Sequence, residues 1–275
     1  MKRSYFAAPY VVWMLLFTII PLLIVGYYAF TDTAGGETTF SLENVKSTFD
    51  PMYMRIMGRS IYLAFVATVC CILLGYPVAM VLTSRSFRRG SIFVLLFVLP
   101  MWMNFLLRTY ALINILDTNG IVAKLLSLLG LGSPQLLYNT FAIILGLVYN
   151  YLPFMILPIY TSMSKIDRHL IEAAEDLGSN GWNVFRRVTF PLSFPGVISG
   201  VVMVFMPAVT TFAVSRLLGG SNYMMYGDAI ENQFFFLRDW HFGAALSLVM
   251  MVLMLLTMFI FRKYTNEEDG GGMLW

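Results

Sequence analysis

Six long, mostly apolar stretches constrain what this 275-residue sequence can fold into. A helix of roughly 20 apolar residues crosses about 30 Å of hydrocarbon, so each stretch is long enough to span a membrane. The chain is 59% hydrophobic and only 12% charged, which excludes a soluble domain and a disordered chain. The predicted spans cover residues 7–30, 60–83, 91–115, 140–163, 195–217 and 243–262.

The spans and their short loops use the whole chain, so we expect one all-α transmembrane domain over 1–275. The first stretch follows Lys2 and Arg3, as a signal peptide would. It is longer than a signal-peptide core and lacks a clear small-x-small cleavage site. We therefore predict that it is retained as the first helix.

Basic residues predict the orientation of the six helices, because Lys and Arg near helix ends are held on the cytoplasmic side. With both termini inside, the inner segments hold eleven of the eighteen basic residues. The sequence thus predicts an N-in, C-in protein. The inner basic residues are Lys2, Arg3, Arg85, Arg88, Arg89, Lys165, Arg168, Arg186, Arg187, Arg262 and Lys263.

Two of the predicted outer segments are long enough for structure of their own. Residues 31–59 could form a small cap over the helices. Residues 119–133 are apolar but too short to span, so we expect an interfacial helix that ends at a glycine.

The sequence carries no motif for catalysis, for a metal or for a nucleotide. Cys70 and Cys71 are adjacent in an apolar run and are predicted to be packing residues. His169 and His241 lie on opposite sides of the predicted topology, each as a solvated loop residue. The net charge of +3 is too small for a nucleic-acid surface. We therefore expect no catalytic residues, no metal and no cofactor, and an energy source in a partner or a gradient.

The fourth loop, residues 164–194, is the most polar of the inner segments. Its apolar residues recur with a helical period, from Ile166 through Leu170 to Leu177. Ser164 and Asp167 resemble a capping box at the start of this helix, and Gly178 supplies a stop.

A second amphipathic piece follows in the same loop, with Trp182, Phe185 and Val188 on one side. It is predicted to run to Pro191, and Pro195 is predicted to open the fifth span. On periodicity alone, the loop could be an amphipathic linker that lies on the inner membrane surface.

The order of residues in this loop resembles the EAA loop of ABC importer permeases. Their pattern is EAA-x3-G-x9-I-x-L-P, and here it reads Glu172-Ala173-Ala174, Gly178, Val188 and Phe190-Pro191. Val for Ile and Phe for Leu are the only departures. The resemblance implies the type I importer permease fold and a coupling helix that seats on a separate ATP-binding subunit. The ATPase-coupling residues it implies are Glu172, Ala173, Ala174, Gly178, Val188 and Pro191.

Further motifs along the chain look like the PotB-type permeases of spermidine/putrescine importers. They include Gly75-Tyr76-Pro77, the stretch 99–104 and Arg238-Asp239-Trp240. The resemblance implies a multi-pass protein of a bacterial cytoplasmic membrane. Its implied partners are a second homologous permease subunit, a dimer of ATP-binding subunits, a solute-binding protein and the polyamine. A homodimer remains an alternative to the pair of different permeases.

A polycation that leaves water needs carboxylates, carbonyls or aromatic faces. Asp228 and Glu231 are three residues apart on the outer side and could share a helical face. Deeper candidates for the substrate path lie near helix ends or prolines: Trp102, Asn104, Tyr110, Tyr149 and Tyr151. Interfacial anchoring or helix packing is the alternative role of each aromatic residue.

Arg108 and Arg216 oppose a polyamine path, because a bare guanidinium would repel a polycation. Each could instead reach headgroups or pair with an acid such as Asp117 or Asp228. If they do bind substrate, the alternatives in the same family are permeases for sulfate or thiosulfate, molybdate or ferric ion. An ion-coupled secondary transporter is a further alternative, although the spans lack an acid or histidine at mid-depth.

Overall fold

The computed structural model describes residues 4–34, 37–84, 90–130, 132, 135–220 and 223–265. Six helical stretches in these residues are long and apolar enough to cross a membrane, as the sequence predicts. They are Pro9–Ala29, Pro51–Thr83, Phe105–Leu128, Thr140–Ser164, Gly181–Thr210 and Trp240–Phe261. Lys2, Arg3, Arg85, Arg88, Arg89 and the tail 266–275 lie outside the described residues, as do the side chains of Arg262 and Lys263.

The first span consists of α1 (Ser4–Met14) and α2 (Ile20–Ala29), joined by a π-helical turn at Leu15–Ile19. A small cap follows, as predicted, but it contains a β-hairpin that the all-α prediction missed. Strand β1 (Thr31–Ala34) pairs antiparallel with β2 (Glu37–Phe40), and the short helix α3 (Glu43–Ser47) follows. Four of the eight strand residues are threonines, whose β-branched side chains favour extended backbone.

The second span, α4 (Pro51–Thr83), begins nearer the N-terminus than the predicted residue 60. The third predicted span, 91–115, is not one helix. It is divided into α5 (Gly90–Trp102) and α6 (Phe105–Leu116) by a break at Met103 and Asn104. Pro100 removes a backbone donor near the end of α5, and the Asn104 side chain accepts from the Leu106 N–H at 2.8 Å and starts α6 anew.

Helix α7 (Ile121–Leu128) is the short helix predicted in the segment 119–133. Together with α6, however, it belongs to the stretch Phe105–Leu128 that is long and apolar enough to cross a membrane, rather than lying outside the spans. Gly130 ends it with a φ of 75°, a left-handed conformation that glycine adopts without strain. Residues 131 and 133 of that predicted segment lie outside the described residues. The fourth span, α8 (Thr140–Ser164), has nearly the predicted bounds, and Asn139 caps its start by accepting from the Ala142 N–H.

After α9 (Arg168–Asp176), the chain enters α10 (Gly181–Val184), a π-helical turn at Phe185–Thr189 and α11 (Phe190–Thr210). These three pieces form one continuous helix, so the predicted break at Pro191 and the predicted start at Pro195 are wrong. Pro191 has no backbone N–H to donate. The π-helical turn just before it changes the hydrogen-bond spacing locally, so the helix continues past the proline. The helix also ends before the predicted residue 217, because the backbone of Thr211 is extended.

The chain then forms a π-helical turn at Ser215–Gly219, α12 (Tyr226–Glu231), a second such turn at Asn232–Leu237 and α13 (Trp240–Thr265). His241 lies in the first turn of α13 and binds the hairpin, so its prediction as a solvated loop residue is wrong. Its imidazole Nε2 is 3.0 Å from the Thr33 hydroxyl oxygen, and its Nδ1 is 3.2 Å from the Tyr28 carbonyl oxygen.

Helices α4, α8 and α11 pack together and form the core of the protein. Gly196 and Gly200 are four residues apart on α11, where a β-carbon would come within 2.7 Å of the Pro158 carbonyl oxygen and within 3.3 Å of the Met155 Cα. Small residues at this spacing let two helix backbones approach closely in a membrane. Cys71 is buried in the same core, which agrees with its predicted packing role. This core positions the loop between α8 and α11 and the segment that follows α11.

Candidate functional site

The loop between α8 and α11 contains the predicted coupling segment, residues 164–194. Helix α9 starts one turn later than a capping box at Ser164 would place it. The Asp167 carboxylate accepts from the His169 N–H at 3.0 Å, whereas the Ser164 hydroxyl donates to the Thr161 carbonyl at 2.9 Å. The capping box is therefore wrong, and Asp167 alone caps the helix.

Gly178 ends α9, as predicted, with a φ of 79°. Its N–H donates to the Glu175 carbonyl at 2.8 Å, and the Ser179 N–H donates to the Ala174 carbonyl at 3.1 Å. This left-handed turn favours glycine and sets the direction in which the chain leaves α9.

Helix α9 leaves much of its apolar surface uncovered, since none of its side chains is fully buried and only Ile171 and Ala174 among its apolar residues are half-buried. Leu170 is half exposed and Leu177 is 87% exposed. On the polar side, the Glu172 carboxylate is 3.6 Å from the His169 imidazole. An amphipathic helix without a covering partner is typical of a docking element.

The second half of the coupling segment is tied to the core. Val184 is buried, and the Phe185 ring contacts the Tyr76 ring edge-on, with 5.8 Å between centroids. The Tyr76 hydroxyl and the Ser193 hydroxyl form a buried hydrogen bond of 2.8 Å. A displacement of α9 can therefore reach α4 and α11 through these contacts. Val188 is half-buried and Pro191 exposed, both within this continuous helix.

The break between α5 and α6 brings several path candidates to the protein surface. Trp102 is 79% exposed, and Asn104 and Tyr110 are exposed as well. Tyr149 on α8 is also exposed. Tyr151 differs, because it is half-buried and its hydroxyl donates to the Pro207 carbonyl at 3.4 Å. The structure thus divides the five deeper candidates into four surface residues and one that packs inward.

Arg108 lies behind this surface and is only 7% exposed. Its buried Nε has no hydrogen-bond partner among the described residues, and no described acid forms an ion pair with it. Its expected pairing with Asp117 is therefore not seen. The buried Asn150 amide donates to the Gly146 carbonyl at 2.9 Å, while its Oδ1 lacks a partner in the described part of the chain. Unsatisfied buried polar groups of this kind cluster at functional sites.

Asp228 and Glu231 both lie on α12, as their spacing predicts. Asp228 is buried, and its Oδ2 accepts from the Ser215 hydroxyl at 2.6 Å and from the Met225 N–H at 2.8 Å. Burial raises the pKa of this carboxyl to about 6, although both hydrogen bonds oppose the shift. The carboxylate is therefore engaged within the chain.

Glu231 forms an ion pair with Arg216 in the same loop, which is predicted to lie on the outer side. The Arg216 Nη1 is 2.9 Å from each of the two carboxylate oxygens, and the guanidinium also lies 5.0 Å from the centre of the Phe236 ring. The expected partner Asp228 is thus replaced by Glu231. The charge of Arg216 is neutralised, which weakens the objection it poses to a cation path.

Three serines outside the sequence motifs also contribute to the structure, namely Ser60, Ser193 and Ser215. The Ser60 hydroxyl oxygen on α4 accepts from the Tyr226 N–H at 2.8 Å and so holds α12 against the second span. These contacts join residues distant in sequence, so no local spacing could have revealed them. Among the described residues, no group of three His, Cys, Asp or Glu side chains could hold a metal ion.

Comparison with known proteins places these features in a family. Residues 71–266 match the model described as "Binding-protein-dependent transport system inner membrane component". The chain is 38% identical over 256 residues to the spermidine/putrescine transport system permease protein PotB of Haemophilus influenzae, covering 91% of this chain and 90% of that protein. It is 37% identical over 256 residues to PotB of Escherichia coli, covering 91% and 93%.

The fold is also that of a solved importer. A chain of the bacterial alginate ABC transporter, solved in complex with an alginate pentasaccharide-bound periplasmic protein, superimposes with a TM-score of 0.79. The identity is 15%, and the match covers 96% of this chain and 94% of that chain. At this identity the likeness concerns the fold alone, and it confirms the predicted importer permease architecture.

Proposed function

The chain belongs to the family of inner membrane components of binding-protein-dependent transport systems, and on this premise we propose that it moves polyamines across the bacterial cytoplasmic membrane. In this proposal it is the multi-pass permease subunit of an ATP-driven importer for spermidine or putrescine. ATP is bound and hydrolysed by a separate subunit, and this chain contributes no catalytic residue. Membership in this family also argues against the alternative hypothesis of an ion-coupled secondary transporter.

The observation that carries the substrate class is the identity of 38% to a relative named for spermidine/putrescine transport, across nine tenths of both chains. The similarity extends along most of the chain rather than over one motif. A local geometry is compatible with it, since the Arg216 guanidinium is paired with Glu231. The outer loop therefore presents no free guanidinium at this position to a polycation.

We assign coupling to the segment 164–194, with α9 as the docking helix. Glu172 would offer a carboxylate, Ala173 and Ala174 would allow close approach, and Gly178 would direct the chain into α10. Val188 and Pro191 would pass the movement into α11 as a rigid body. This role requires the loop to be cytoplasmic, which corresponds to the N-in, C-in orientation. The uncovered apolar surface of α9 supports this proposal.

A second permease subunit is proposed to cover the break between α5 and α6. Irregular backbone that faces lipid does not occur in the hydrocarbon region, because its polar groups would stay unsatisfied. In this proposal the break lies at membrane depth, so the exposed residues Trp102, Met103 and Asn104 face protein or a water-filled path. Two permease chains that meet here would place Trp102, Asn104, Tyr110 and Tyr149 beside such a path. A solute-binding protein would deliver the polyamine from outside.

A second candidate function is import of an oxyanion such as sulfate, thiosulfate or molybdate. One observation favours it, namely the buried Arg108 without an acidic partner among the described residues. A guanidinium is a strong ligand for oxyanions. Under the polyamine proposal, Arg108 requires a carboxylate or water from outside this chain.

Uptake in proteoliposomes separates these candidates. The vesicles would contain this chain with its co-purifying partners, the binding protein and internal ATP. We expect uptake of labelled spermidine or putrescine and none of sulfate or ferric ion, without sensitivity to uncouplers. Sulfate uptake without polyamine uptake would reject the polyamine proposal and make Arg108 the leading substrate ligand. An Arg108→Met variant would then lose anion uptake.

A further inference from the structure

A cavity of about 680 Å³ opens where the first span, the hairpin and the last span meet. One wall is apolar and is contributed by both spans and by the π-helical turn before α13. This wall consists of Ile24, Val25, Phe234, Leu237 and Ala244. The cavity is thus lined both by membrane-spanning side chains and by residues of the cap.

The rim of the cavity carries charges of both signs. Asp32 lies on strand β1, and Arg238 and Asp239 immediately precede α13. The exposed Arg238 side chain makes no hydrogen bond or ion pair within the described part of the chain, and neither does that of Asp32. One oxygen of Asp239 accepts from the Phe242 N–H at 2.9 Å, and the other has no hydrogen-bond partner among the described residues. One guanidinium and two carboxylates are therefore available to a ligand.

The cavity is preformed by contacts that hold its three walls together. The His241 imidazole lies 3.2 Å from the Tyr28 carbonyl oxygen at the end of α2 and 3.0 Å from the Thr33 hydroxyl oxygen on β1. The Tyr28 ring meets the imidazole edge-on, with 5.3 Å between centroids. A binding site that is already formed pays little ordering entropy when its ligand arrives.

The position of the cavity matches the boundary between hydrocarbon and water. Trp240 is exposed at its rim and Tyr28 is partly exposed, and such aromatic residues mark the membrane interface. The first span is not buried inside the protein over its apolar window, so a lipid chain can reach the apolar wall from the side.

We propose that this cavity binds one zwitterionic phospholipid with a phosphoethanolamine headgroup. The phosphate would accept from the Arg238 guanidinium, and the ammonium would donate to Asp32 and the other oxygen of Asp239. An acyl chain would lie along the apolar wall. Charge complementarity selects this occupant, because a headgroup with a phosphate alone would face two uncompensated carboxylates.

The test uses the assembled complex, delipidated and then incubated with vesicles of phosphatidylethanolamine, phosphatidylcholine or phosphatidylglycerol. Native mass spectrometry would count the lipid molecules that each preparation retains. We expect phosphatidylethanolamine to be retained about tenfold better than phosphatidylglycerol, as for the loss of one charge-assisted hydrogen bond. Phosphatidylcholine should be retained less well than phosphatidylethanolamine, because its quaternary ammonium has no N–H to donate.

Three variants identify the site. Arg238→Gln should reduce phosphatidylethanolamine retention several-fold, and Asp32→Asn should reduce its preference over phosphatidylglycerol. Arg55→Gln, which removes an exposed arginine from the first turns of α4, should change neither. Equal retention of the three lipids by the unaltered complex, or unchanged retention in Arg238→Gln, would overturn the proposal. Loss of retention in Arg55→Gln of the same size would overturn it as well.

Discussion

The proposed docking helix α9 and the predicted outer loop 211–231 both lie between spans, yet they use their polar groups in opposite ways. In the outer loop, Asp228 is bonded to Ser215 and Met225, and Glu231 is paired with Arg216. Helix α9 leaves much of its apolar surface uncovered and fully buries no side chain. One segment is closed by its own contacts, whereas the other is open to a partner.

This difference separates a structural role from a docking role. A closed network holds the outer ends of α4, α11 and α13 in fixed positions, and substitutions there should act on stability. An open amphipathic helix contributes little to the stability of its own chain, and substitutions there should act on assembly and transport. Four predictions test this division.

Reversal of the charge at Glu172 should have the largest effect. We expect Glu172→Lys to abolish ATP-driven uptake while the chain still inserts and keeps its melting temperature, because α9 supports no core packing. Uptake and co-purification of the ATP-binding subunit are the measurements. Glu43→Lys, a matched reversal on the short helix α3, should leave both unchanged. Normal uptake by Glu172→Lys would contradict the docking role.

Gly178 tests whether the exit geometry of α9 matters for coupling. At a φ of 79°, an alanine costs about 1–2 kcal/mol of strain, although open space surrounds the position. We expect Gly178→Ala to lower uptake several-fold. Gly130→Ala introduces the same strain at a φ of 75° in the equally open end of α7 and should leave uptake intact. An equal loss of uptake in both variants would mean that backbone strain anywhere in the chain lowers uptake, and that Gly178 has no specific role in coupling.

Asp228 predicts a pH-dependent stability in the closed loop. Because its pKa is raised from 3.8 to about 6, the folded state holds its proton more tightly than the unfolded chain. Its contribution to stability is therefore full below pH 4 and is lost as the pH rises through 6. The change amounts to at most about 3 kcal/mol.

The matching variant is Asp228→Asn, which keeps an acceptor oxygen for Ser215 or Met225. Melting temperatures of the variant should fall less than those of the unaltered complex between pH 4 and pH 7. Identical pH profiles of the two proteins would remove Asp228 as the cause. The affinity for the ATP-binding subunit should be the same in both.

The Arg216–Glu231 pair should give the smallest effect. Because Arg216 is 44% exposed, solvent screening limits its value to about 1 kcal/mol. A double-mutant cycle with Arg216→Met and Glu231→Gln measures that coupling through the melting temperature. A coupling energy near zero would mean that the loop is closed by Asp228 alone. Weaker binding of the ATP-binding subunit in any of these variants would contradict the claim that only α9 has a docking role.

The sequence predicts the spans well where one helix is long and uniformly apolar, as in α8. It fails where a helix is interrupted between apolar flanks, because residues on both sides of Asn104 continue the same hydropathy. The start of the fifth span is also predicted at the wrong residue. Prolines such as Pro191 favour a helix end, but the π-helical turn before Pro191 lets the helix continue. The β-hairpin is missed because residues 31–40 are mostly threonine, glycine and acidic residues, which give no helical or apolar period.

The candidate site divides in the same way. The coupling segment is local, so its spacing predicts both α9 and its end at Gly178. The outer network is not local: Arg216 and Glu231 are fifteen residues apart, and Ser60 contacts Tyr226 across most of the chain. Such pairs follow from tertiary packing, which residue order does not determine. The hydropathy pattern gives only the position of Arg108 along its span. It does not show whether the side chain faces lipid or is buried in the protein, as it is here.

The central claim is that α9 docks on the ATP-binding subunit while the outer surface does not. A photo-crosslinking amino acid at Leu177, which is 87% exposed, would be compared with one at Phe235, which is 75% exposed beyond the outer loop. Both would be irradiated in membranes that contain the assembled transporter. The account predicts an adduct with the ATP-binding subunit from position 177 and none from position 235. An adduct from position 235, or lipid adducts alone from position 177, would contradict it.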